Sequence, residues 1–194
     1  MPDFTATPDW STIPAPEDDG AAKHLVGTRL APSPLLATDG RSIDLSTLAG
    51  QVVVYAFPRT GVPDKANPAG WDDIPGARGC TPQSCAFRDH HTELKALGVA
   101  AVFGLSTQDT AYQREAADRL HLPFPLLSDE RLELTRAIGL PTFRVEGMEL
   151  LKRFTLIIRD GTVEKVFYPV FPPDRNAGDV LEWFAHALSE GGSP

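Results

Sequence analysis

The only two cysteines of the chain, Cys80 and Cys85, lie five positions apart at a predicted loop-to-helix junction. An α-helix turns about 100° and rises about 1.5 Å per residue, so five steps separate two side chains by about 140° around the axis and about 7.5 Å along it. A disulfide needs Cα atoms within about 7 Å of each other and converging side chains. The pair can therefore bridge only after the first turn of the helix unwinds. Two sulfurs at this spacing indicate redox chemistry in two steps.

The helix start gives the two thiols different roles. A thiol attacks as its thiolate, and the free N–H groups at a helix N-terminus stabilise negative charge. Cys80 lies at that end, whereas Cys85 lies more than a turn inside the helix, so we expect Cys80 to attack and Cys85 to respond. A thiolate that meets a peroxide takes one oxygen and becomes a sulfenic acid, which condenses with a second thiol. An external dithiol would then reduce the disulfide by exchange.

The elements that must position this pair alternate between strands and helices. The apolar, β-branched run 51–57 predicts a central strand buried on both faces, and 99–105 predicts a second. This alternation predicts an α/β sandwich with a mixed sheet. The other predicted elements are helices at 81–97, 110–120, 132–138 (with Asp129 as N-cap) and 177–188, and strands at 154–158 and 163–167.

The segments before the first strand and after it are irregular. Residues 1–24 are rich in proline and show no hydrophobic period, which predicts an extended or loosely docked tail that Trp10 and Ile13 could pin to the body. Asp39-Gly40 then predicts the turn of a short hairpin. Four prolines and four glycines between residues 58 and 79 exclude a regular element. Irregular loops longer than about 12 to 15 residues are often functional, and this one leads directly to Cys80.

Composition limits the classes of partner. The chain has 194 residues, a formal charge of −8, 42% hydrophobic and 23% charged residues, which predicts one globular domain. The negative charge and the lack of a basic stripe argue against a nucleic-acid partner. We see neither a secretory signal nor an apolar run near the roughly 18 residues of a membrane span, so we expect a soluble cytoplasmic protein without membrane contact. In a reducing cytosol, a close cysteine pair is more often catalytic, redox-sensing or metal-binding than structural.

A metal site at the cysteine pair is disfavoured by spacing. His90 and His91 follow Cys85 closely and suggest a zinc site with two cysteines and two histidines. Zinc motifs place about two to four residues between paired ligands on a tight turn, whereas adjacent histidines on one helix point about 100° apart. We therefore expect no metal.

The stretch from Gly79-Cys80-Thr81 to Arg88-Asp89 resembles the active site of the peroxiredoxins of the Q type, also called bacterioferritin comigratory proteins, in the AhpC/TSA redoxin superfamily. The family pattern has a Gly-Cys-Thr opening, Glu or Gln three residues after the first Cys, a second Cys five after it, and an Arg-Asp pair close behind. Gln83 and Cys85 occupy the third and fifth places. The resemblance continues over most of the chain beyond the tail, through residues 26–27, 39–40, 45–50, 104–106, 122–129 and 153–158.

The resemblance implies a thioredoxin-like fold with a central mixed sheet flanked by helices and an N-terminal hairpin extension, as one domain over 25–190. It also implies an enzyme, a thiol-dependent peroxidase that reduces hydrogen peroxide and organic hydroperoxides without metal or organic cofactor. A thioredoxin-like or other thiol reductant would regenerate it. A monomer or weak homodimer is expected.

The resemblance also assigns roles to individual residues. Cys80 would be the peroxidatic thiol and Cys85 the resolving thiol, joined as an intramolecular disulfide. Arg153 would hold the thiolate and the peroxide oxygens by charge-assisted hydrogen bonds. The supporting residues would be Gly79, Thr81, Gln83 and Arg88.

The approach to Cys80 departs from the family pattern. The family usually places Thr three residues before the attacking Cys and Pro four residues before that Thr, where this chain has Ala77 and Asp73. Pro58-Arg59-Thr60 follows the first buried strand, which predicts an insertion over about 61–78 between these residues and Cys80. We expect either Thr60 to fold back and bind peroxide or Thr81 to replace it. We also expect the insertion to wall the active site and to narrow substrate access.

Two other functions are compatible with the same residues. A thioredoxin-like disulfide exchanger is one, although that chemistry favours Cys-x-x-Cys and this chain has four residues between its cysteines. The other is a non-enzymatic redox-sensing or binding module, because a fold does not dictate a function. The absence of Thr before Cys80 is the main support for the module.

Overall fold

The computed structural model describes residues 8–189 of the chain, as a mixed sheet with helices on its faces. The helices are α1 (Cys80–Asp89), α2 (His91–Ala96), α3 (Thr110–Arg119), α4 (Glu133–Ile138) and α5 (Asn176–Ser189). The strands are β1 (Leu35–Ala37), β2 (Ser42–Ile43), β3 (Gln51–Ala56), β4 (Val99–Ser106), β5 (Leu126–Ser128), β6 (Thr142–Val145), β7 (Met148–Leu151), β8 (Phe154–Arg159) and β9 (Thr162–Phe167).

Seven of these strands form one sheet in the order β2-β1-β5-β4-β3-β8-β9. Strand β4 is parallel to both β3 and β5, and the other pairings are antiparallel. The predicted α/β class with a mixed sheet is therefore confirmed. The short hairpin around Asp39-Gly40 forms β1 and β2 and extends the sheet at one edge.

Strand β3 separates two cores because successive side chains of a strand point to opposite faces. Val52, Val54 and Ala56 pack into a core that includes Leu134 and Ile138 of α4. Val53 and Tyr55 pack into the other core, where they meet α1, α2 and α5. Burial on both faces explains why the sequence of β3 is continuously apolar. The residues from the second core that lie on those helices are Phe87, Leu94, Ala177, Val180 and Phe184.

Two local predictions were wrong. The single helix expected over 81–97 is two helices, because His90, with φ −95° and ψ 5°, leaves helical geometry between them. Asp129 was expected as the N-cap of the following helix, but Leu132 occupies that position in the left-handed region. The Asp129 carboxylate instead accepts from the backbone N–H groups of Leu134 and Thr135 at 3.2 and 2.8 Å. The carboxylate therefore satisfies two free N–H groups at the start of α4, although Asp129 lies three residues before the N-cap Leu132.

A hairpin that the sequence analysis missed, β6–β7, packs against the irregular loop before Cys80. Its turn, Glu146-Gly147, has positive φ at both residues (47° and 77°), as a two-residue type I′ turn requires. Trp71 of the loop is buried and its ring centroid lies 6.3 Å from that of Phe143 on β6. The loop that resembles an insertion is therefore anchored by a small third core, completed by Ala77, Leu150 and the partly buried Ile74, Val145 and Met148.

The N-terminal segment is docked more closely than predicted. Residues 1–7 of the predicted tail lie outside the described residues. From residue 8, the indole of Trp10 donates to the Asp174 carboxylate at 2.9 Å, and Ile13 is buried. Asp19 accepts from Lys152 at 2.5 Å and from the hydroxyl of Tyr168 at 2.6 Å. Within residues 8–189, none of the helices combines the length and apolar character that crossing a bilayer requires.

Candidate active site

The first residue of α1 is Cys80, and the backbone before it is held in a conformation that favours glycine. Gly79 has φ 103°, in the left-handed region. A Cβ atom at this position would lie 2.5 Å from Cγ of Pro173 and 2.9 Å from Cη2 of Trp10. The N-terminal segment and the residues before α5 therefore close over the start of α1. Cys80 itself is a free thiol with only 4% of its surface exposed.

The guanidinium of Arg153, between β7 and β8, lies directly against this thiol. Its Nη2 lies 3.3 Å from Sγ of Cys80 and donates as well to the carbonyl oxygens of Gly76, Ala77 and Arg78 at 3.2, 3.2 and 3.0 Å. These carbonyls fix the direction of Nη2. Only the family resemblance predicted that Arg153 lies near Cys80, and the structure brings the two residues together.

Arg153 is a buried cation, with 3% of its surface exposed. Within residues 8–189 no carboxylate forms an ion pair with it, and its hydrogen-bond acceptors are neutral carbonyl groups and the sulfur of Cys80. A buried charge without a counter-ion is costly. The guanidinium is therefore placed where it can stabilise negative charge on Sγ of Cys80.

Buried polar side chains hold the other terminal nitrogen of Arg153, Nη1, which does not contact Cys80. Its Nη1 donates to Oε1 of Gln83 at 2.5 Å. Nε2 of Gln83 donates to Oδ1 of Asn176 at 2.9 Å, and the hydroxyl of Thr155 donates to the same oxygen at 2.6 Å. Gln83 was predicted as a supporting residue, whereas Asn176 and Thr155 were missed. The signal for Thr155 was a lone hydroxyl inside the apolar run 154–158. Asn176 gave no signal, because asparagine at a helix start is commonplace.

Cys85 occupies a different environment one turn further along α1. It is half-buried and free, and burial raises the pKa of its thiol. The positive charge of Arg88 opposes that shift, while the charge of Asp89 adds to it. Arg88 also donates to the carbonyl oxygen of Leu120 at 3.0 Å and to Asp89 at 2.8 Å. The predicted supporting residue Arg88 therefore lies beside the second thiol and not beside the first.

The two candidate threonines lie in different places. Thr60 is fully buried; its backbone N–H donates to Oε1 of Gln108 at 3.0 Å, and its carbonyl accepts from the hydroxyl of Tyr112 at 2.8 Å. No hydrogen bond joins Thr60 to Cys80 in the part of the chain that the structure describes. Thr81 is the second residue of α1 and is half-buried. Peroxide binding by either threonine stays a prediction.

The histidines after the cysteine pair have other contacts. Nδ1 of His90 lies 3.2 Å from the Glu93 carboxylate, and the ring of His91 packs against Phe124 with centroids 5.6 Å apart. Burial lowers the pKa of His91. Among the described residues, no three His, Cys, Asp or Glu side chains are grouped as a metal site would need.

A cavity of about 260 Å³ adjoins the buried arginine. Arg153 and Gly76, whose carbonyl oxygen accepts from that arginine, form part of its wall. The other lining residues come from the N-terminal segment, the loop before Cys80, β6, the connection between β7 and β8, and the chain after β9: Pro16, Glu17, Ile74, Pro75, Phe143, Lys152, Tyr168 and Pro169. Most of this lining is apolar.

The fold and the site together define a thioredoxin-like protein with a buried free thiol at a helix start and a buried arginine beside it. The model of the Redoxin family matches residues 1–181. The chain is 33% identical over 145 residues to chloroplastic peroxiredoxin Q of Oryza sativa subsp. japonica, covering 74% of this chain and 59% of the rice protein. It is 31% identical over 162 residues to chloroplastic peroxiredoxin Q of Sedum lineare, covering 83% and 78%. The chain thus spans about three fifths of the rice relative's length.

Solved structures of peroxiredoxins share this fold. The crystal structure of peroxidoxin BcpB from Mycobacterium tuberculosis superimposes with a TM-score of 0.66 at 25% identity, covering 83% of this chain and 96% of that one. A mutant PrxQ of Xylella fastidiosa shares the fold with a TM-score of 0.65 at 20% identity, covering 84% and 96%. The chain therefore belongs to the Redoxin family, among the peroxiredoxins of the Q type. The resemblance inferred from the residues around Cys80 is confirmed.

Proposed function

We propose that this chain is a thiol-dependent peroxidase that reduces hydrogen peroxide and organic hydroperoxides through Cys80. The observation that carries the proposal is the 3.3 Å contact between Nη2 of Arg153 and Sγ of Cys80, made by a buried cation without a carboxylate partner among the described residues. The reactive form of a thiol is its thiolate, and a guanidinium at this distance stabilises negative charge on the sulfur. Family membership and the peroxiredoxin Q relatives support the same activity.

The first step oxidises Cys80. The thiolate attacks the terminal oxygen of the hydroperoxide, an S–O bond forms, and the O–O bond breaks. The leaving oxygen takes a proton and departs as water or an alcohol, and Cys80 becomes a sulfenic acid. Negative charge grows on the leaving oxygen, so N–H groups of Arg153 would stabilise the transition state as well as the thiolate.

The second step joins the two cysteines. The Cys85 thiolate attacks Sγ of the sulfenic acid, an S–S bond forms and the S–O bond breaks, and the leaving hydroxide takes a proton and departs as water. Both cysteines belong to α1, so its first turn must unwind before the sulfurs can meet. A thioredoxin-like dithiol then supplies two electrons and restores both thiols. Such a cycle fits a reducing compartment; cytoplasmic location stays a prediction, and the plant relatives are named chloroplastic.

Rapid kinetics with three proteins test this cycle: wild type, Cys80→Ser and Cys85→Ser. Mixed with hydrogen peroxide, the wild type should form a Cys80–Cys85 disulfide. The Cys85→Ser variant should stop at the sulfenic acid and over-oxidise, and Cys80→Ser should not react rapidly. Mass spectrometry identifies each product. Oxidation of Cys80 at the rate of a free thiol would refute the peroxidase, and catalytic reduction of an insulin-type disulfide would indicate an exchanger. Rapid oxidation without turnover by any dithiol would indicate a sensor.

We also propose that the cavity beside Arg153 favours hydroperoxides with an apolar group. Its walls include Ile74 and Pro75 from the loop over 61–78, which is the segment expected to shape substrate access. Replacing Ile74 with Trp would fill the space, whereas Ile74→Val would keep it open. The ratio of kcat/KM for cumene hydroperoxide to that for hydrogen peroxide should fall in the Trp variant and stay near wild type in the Val variant. An unchanged ratio in both would exclude the cavity from substrate selection.

A further inference from the structure

Behind the thiol and the arginine lies a buried relay of amide and hydroxyl groups that joins α1, β8 and α5. Gln83, Asn176 and Thr155 are at most 1% exposed. The contacts run from Thr155 Oγ1 to Asn176 Oδ1, from Gln83 Nε2 to the same oxygen, and from Arg153 Nη1 to Gln83 Oε1. In these contacts Asn176 touches neither the thiol nor the guanidinium. Its Oδ1 accepts hydrogen bonds from both Gln83 and Thr155.

The orientation of the Gln83 amide matters because its two ends are chemically opposite. The carbonyl oxygen accepts from a guanidinium N–H, whereas the amide nitrogen would place one donor against another. With Oε1 turned to Arg153, Nε2 turns away into a buried region, where a donor without an acceptor is costly. Oδ1 of Asn176, 2.9 Å from Nε2, is that acceptor. The productive orientation of Gln83 is therefore satisfied at both ends.

Thr155 completes the relay. Its hydroxyl donates to Oδ1 of Asn176 at 2.6 Å, so this oxygen receives two hydrogen bonds, one from each neighbour. Turning the Asn176 amide over would point Nδ2 at the Nε2 donor of Gln83. The Nε2 donor of Gln83 therefore sets the orientation of the Asn176 amide, and the Thr155 hydroxyl adds a second hydrogen bond to the same acceptor oxygen.

We propose that Asn176 is a positioning residue for the peroxide reaction. It acts through Gln83, whose Oε1 holds Nη1 of Arg153 and so keeps Nη2 of that arginine on the sulfur of Cys80. The proposal rests on the peroxidase function for its kinetic effect, but the position of the guanidinium relative to the thiol is measurable without peroxide.

A matched pair of backgrounds separates this role from ordinary packing. In Gln83→Glu, either carboxylate oxygen can accept from Arg153, so no partner is needed to set the orientation of the side chain. Asn176→Ala should slow oxidation of Cys80 by hydrogen peroxide about ten-fold in the wild-type background, the effect of about one charge-assisted hydrogen bond. In the Gln83→Glu background the same substitution should slow it less than about two-fold. A loss that came from packing at the start of α5 would be the same in both backgrounds.

A second pair of variants guards against misfolding of the Asn176 variant. Thr155→Val keeps the shape of the side chain but removes the hydroxyl, and Thr155→Ser keeps the hydroxyl. We expect Thr155→Val to slow the reaction in the same direction as Asn176→Ala and Thr155→Ser to restore most of the rate. If Val and Ser behave alike, the relay does not act through this hydroxyl and the proposal is wrong.

Thiolate absorbance near 240 nm provides a readout that is independent of peroxide. In a Cys85→Ser background, Asn176→Ala should move the pH midpoint of the Cys80 absorbance change upward, because the guanidinium is held less firmly against the sulfur. The shift should be smaller when Gln83→Glu is also present. Equal shifts in the two backgrounds, or none, would overturn the positioning role. Slow oxidation of the wild type itself would instead refute the proposed peroxidase and leave the absorbance comparison valid.

Discussion

Cys80 and Cys85 share one helix, yet the two thiols differ in burial and in the groups that contact them. Cys80 is almost fully buried against a guanidinium that three backbone carbonyls and an amide hold in place. Cys85 is half-buried, and burial raises the pKa of its thiol against the partial compensation of Arg88. One thiol is thus preorganised in the folded helix, and the other gains its partner only when that helix opens. In the proposed cycle, such a pair would join a first step that needs no rearrangement of α1 to a second step that requires its first turn to open.

The largest expected effect on the difference between the two thiols comes from replacing the arginine beside each of them, Arg153 beside Cys80 and Arg88 beside Cys85. Arg153→Met keeps an unbranched apolar stem but removes the cation beside Cys80. We expect the rate constant for oxidation of Cys80 by hydrogen peroxide to fall about 100- to 1000-fold, as when an oxyanion-hole donor is removed. Stopped-flow measurement on the reduced protein checks this expectation.

Arg88→Met is the matched control, since Arg88 lies beside Cys85 and not beside Cys80. It should leave the rate of the first oxidation nearly unchanged. A loss of less than about ten-fold in Arg153→Met would mean that preorganisation by Arg153 is not what distinguishes the two thiols.

The contrast between the two thiols was only partly predictable from sequence. The apolar run of β3 and the proline-rich approach to Cys80 reveal their structures because burial on both faces and missing N–H groups leave few alternatives. Arg153 was found only through resemblance, since nothing in local spacing joins it to a residue 73 positions earlier. Asn176 lies 93 positions from Gln83, so only the assembled fold shows that their amides meet. The β6–β7 hairpin was missed because Glu146-Gly147 is not one of the Asn-Gly or Asp-Gly pairs that mark a type I′ turn.

A substitution at Gly79, just before Cys80, tests how much the backbone conformation at this position contributes to stability. Gly79→Ala forces an L-residue into φ 103° and places its Cβ against Pro173 and Trp10. We expect the free energy of unfolding of the reduced protein to fall by roughly 3 kcal/mol, from left-handed strain and steric overlap combined. Urea denaturation followed by circular dichroism measures the change.

Gly178→Ala is the control for this substitution. Gly178 lies in α5, and a Cβ there would meet no atom within 4 Å. Alanine should therefore stabilise the protein by up to about 1 kcal/mol through its helix propensity. If both substitutions change the free energy of unfolding alike, the backbone at Gly79 does not hold Cys80 in a fixed position at the start of α1.

The smallest expected effect concerns the second thiol and its dependence on pH. Burial raises the pKa of Cys85 and Arg88 lowers it, so removing the charge of Arg88 should raise that pKa further. Less thiolate is then present near neutral pH. The rate of disulfide formation from the Cys80 sulfenic acid should fall a few-fold, about the effect of one partly exposed charge. The whole pH–rate profile should move to higher pH, and the loss should disappear at alkaline pH where the thiol is ionised in both proteins.

Arg88→Lys distinguishes charge from contact in this last comparison. Lysine keeps the positive charge but cannot reproduce the planar hydrogen bonds that Arg88 makes with Asp89 and the carbonyl of Leu120. A pH–rate profile of Arg88→Lys close to wild type assigns the effect to charge on the Cys85 thiol. If Lys and Met slow disulfide formation equally and without a shift in pH, Arg88 acts by holding α1 together, and unwinding of the helix rather than ionisation of Cys85 limits the second step.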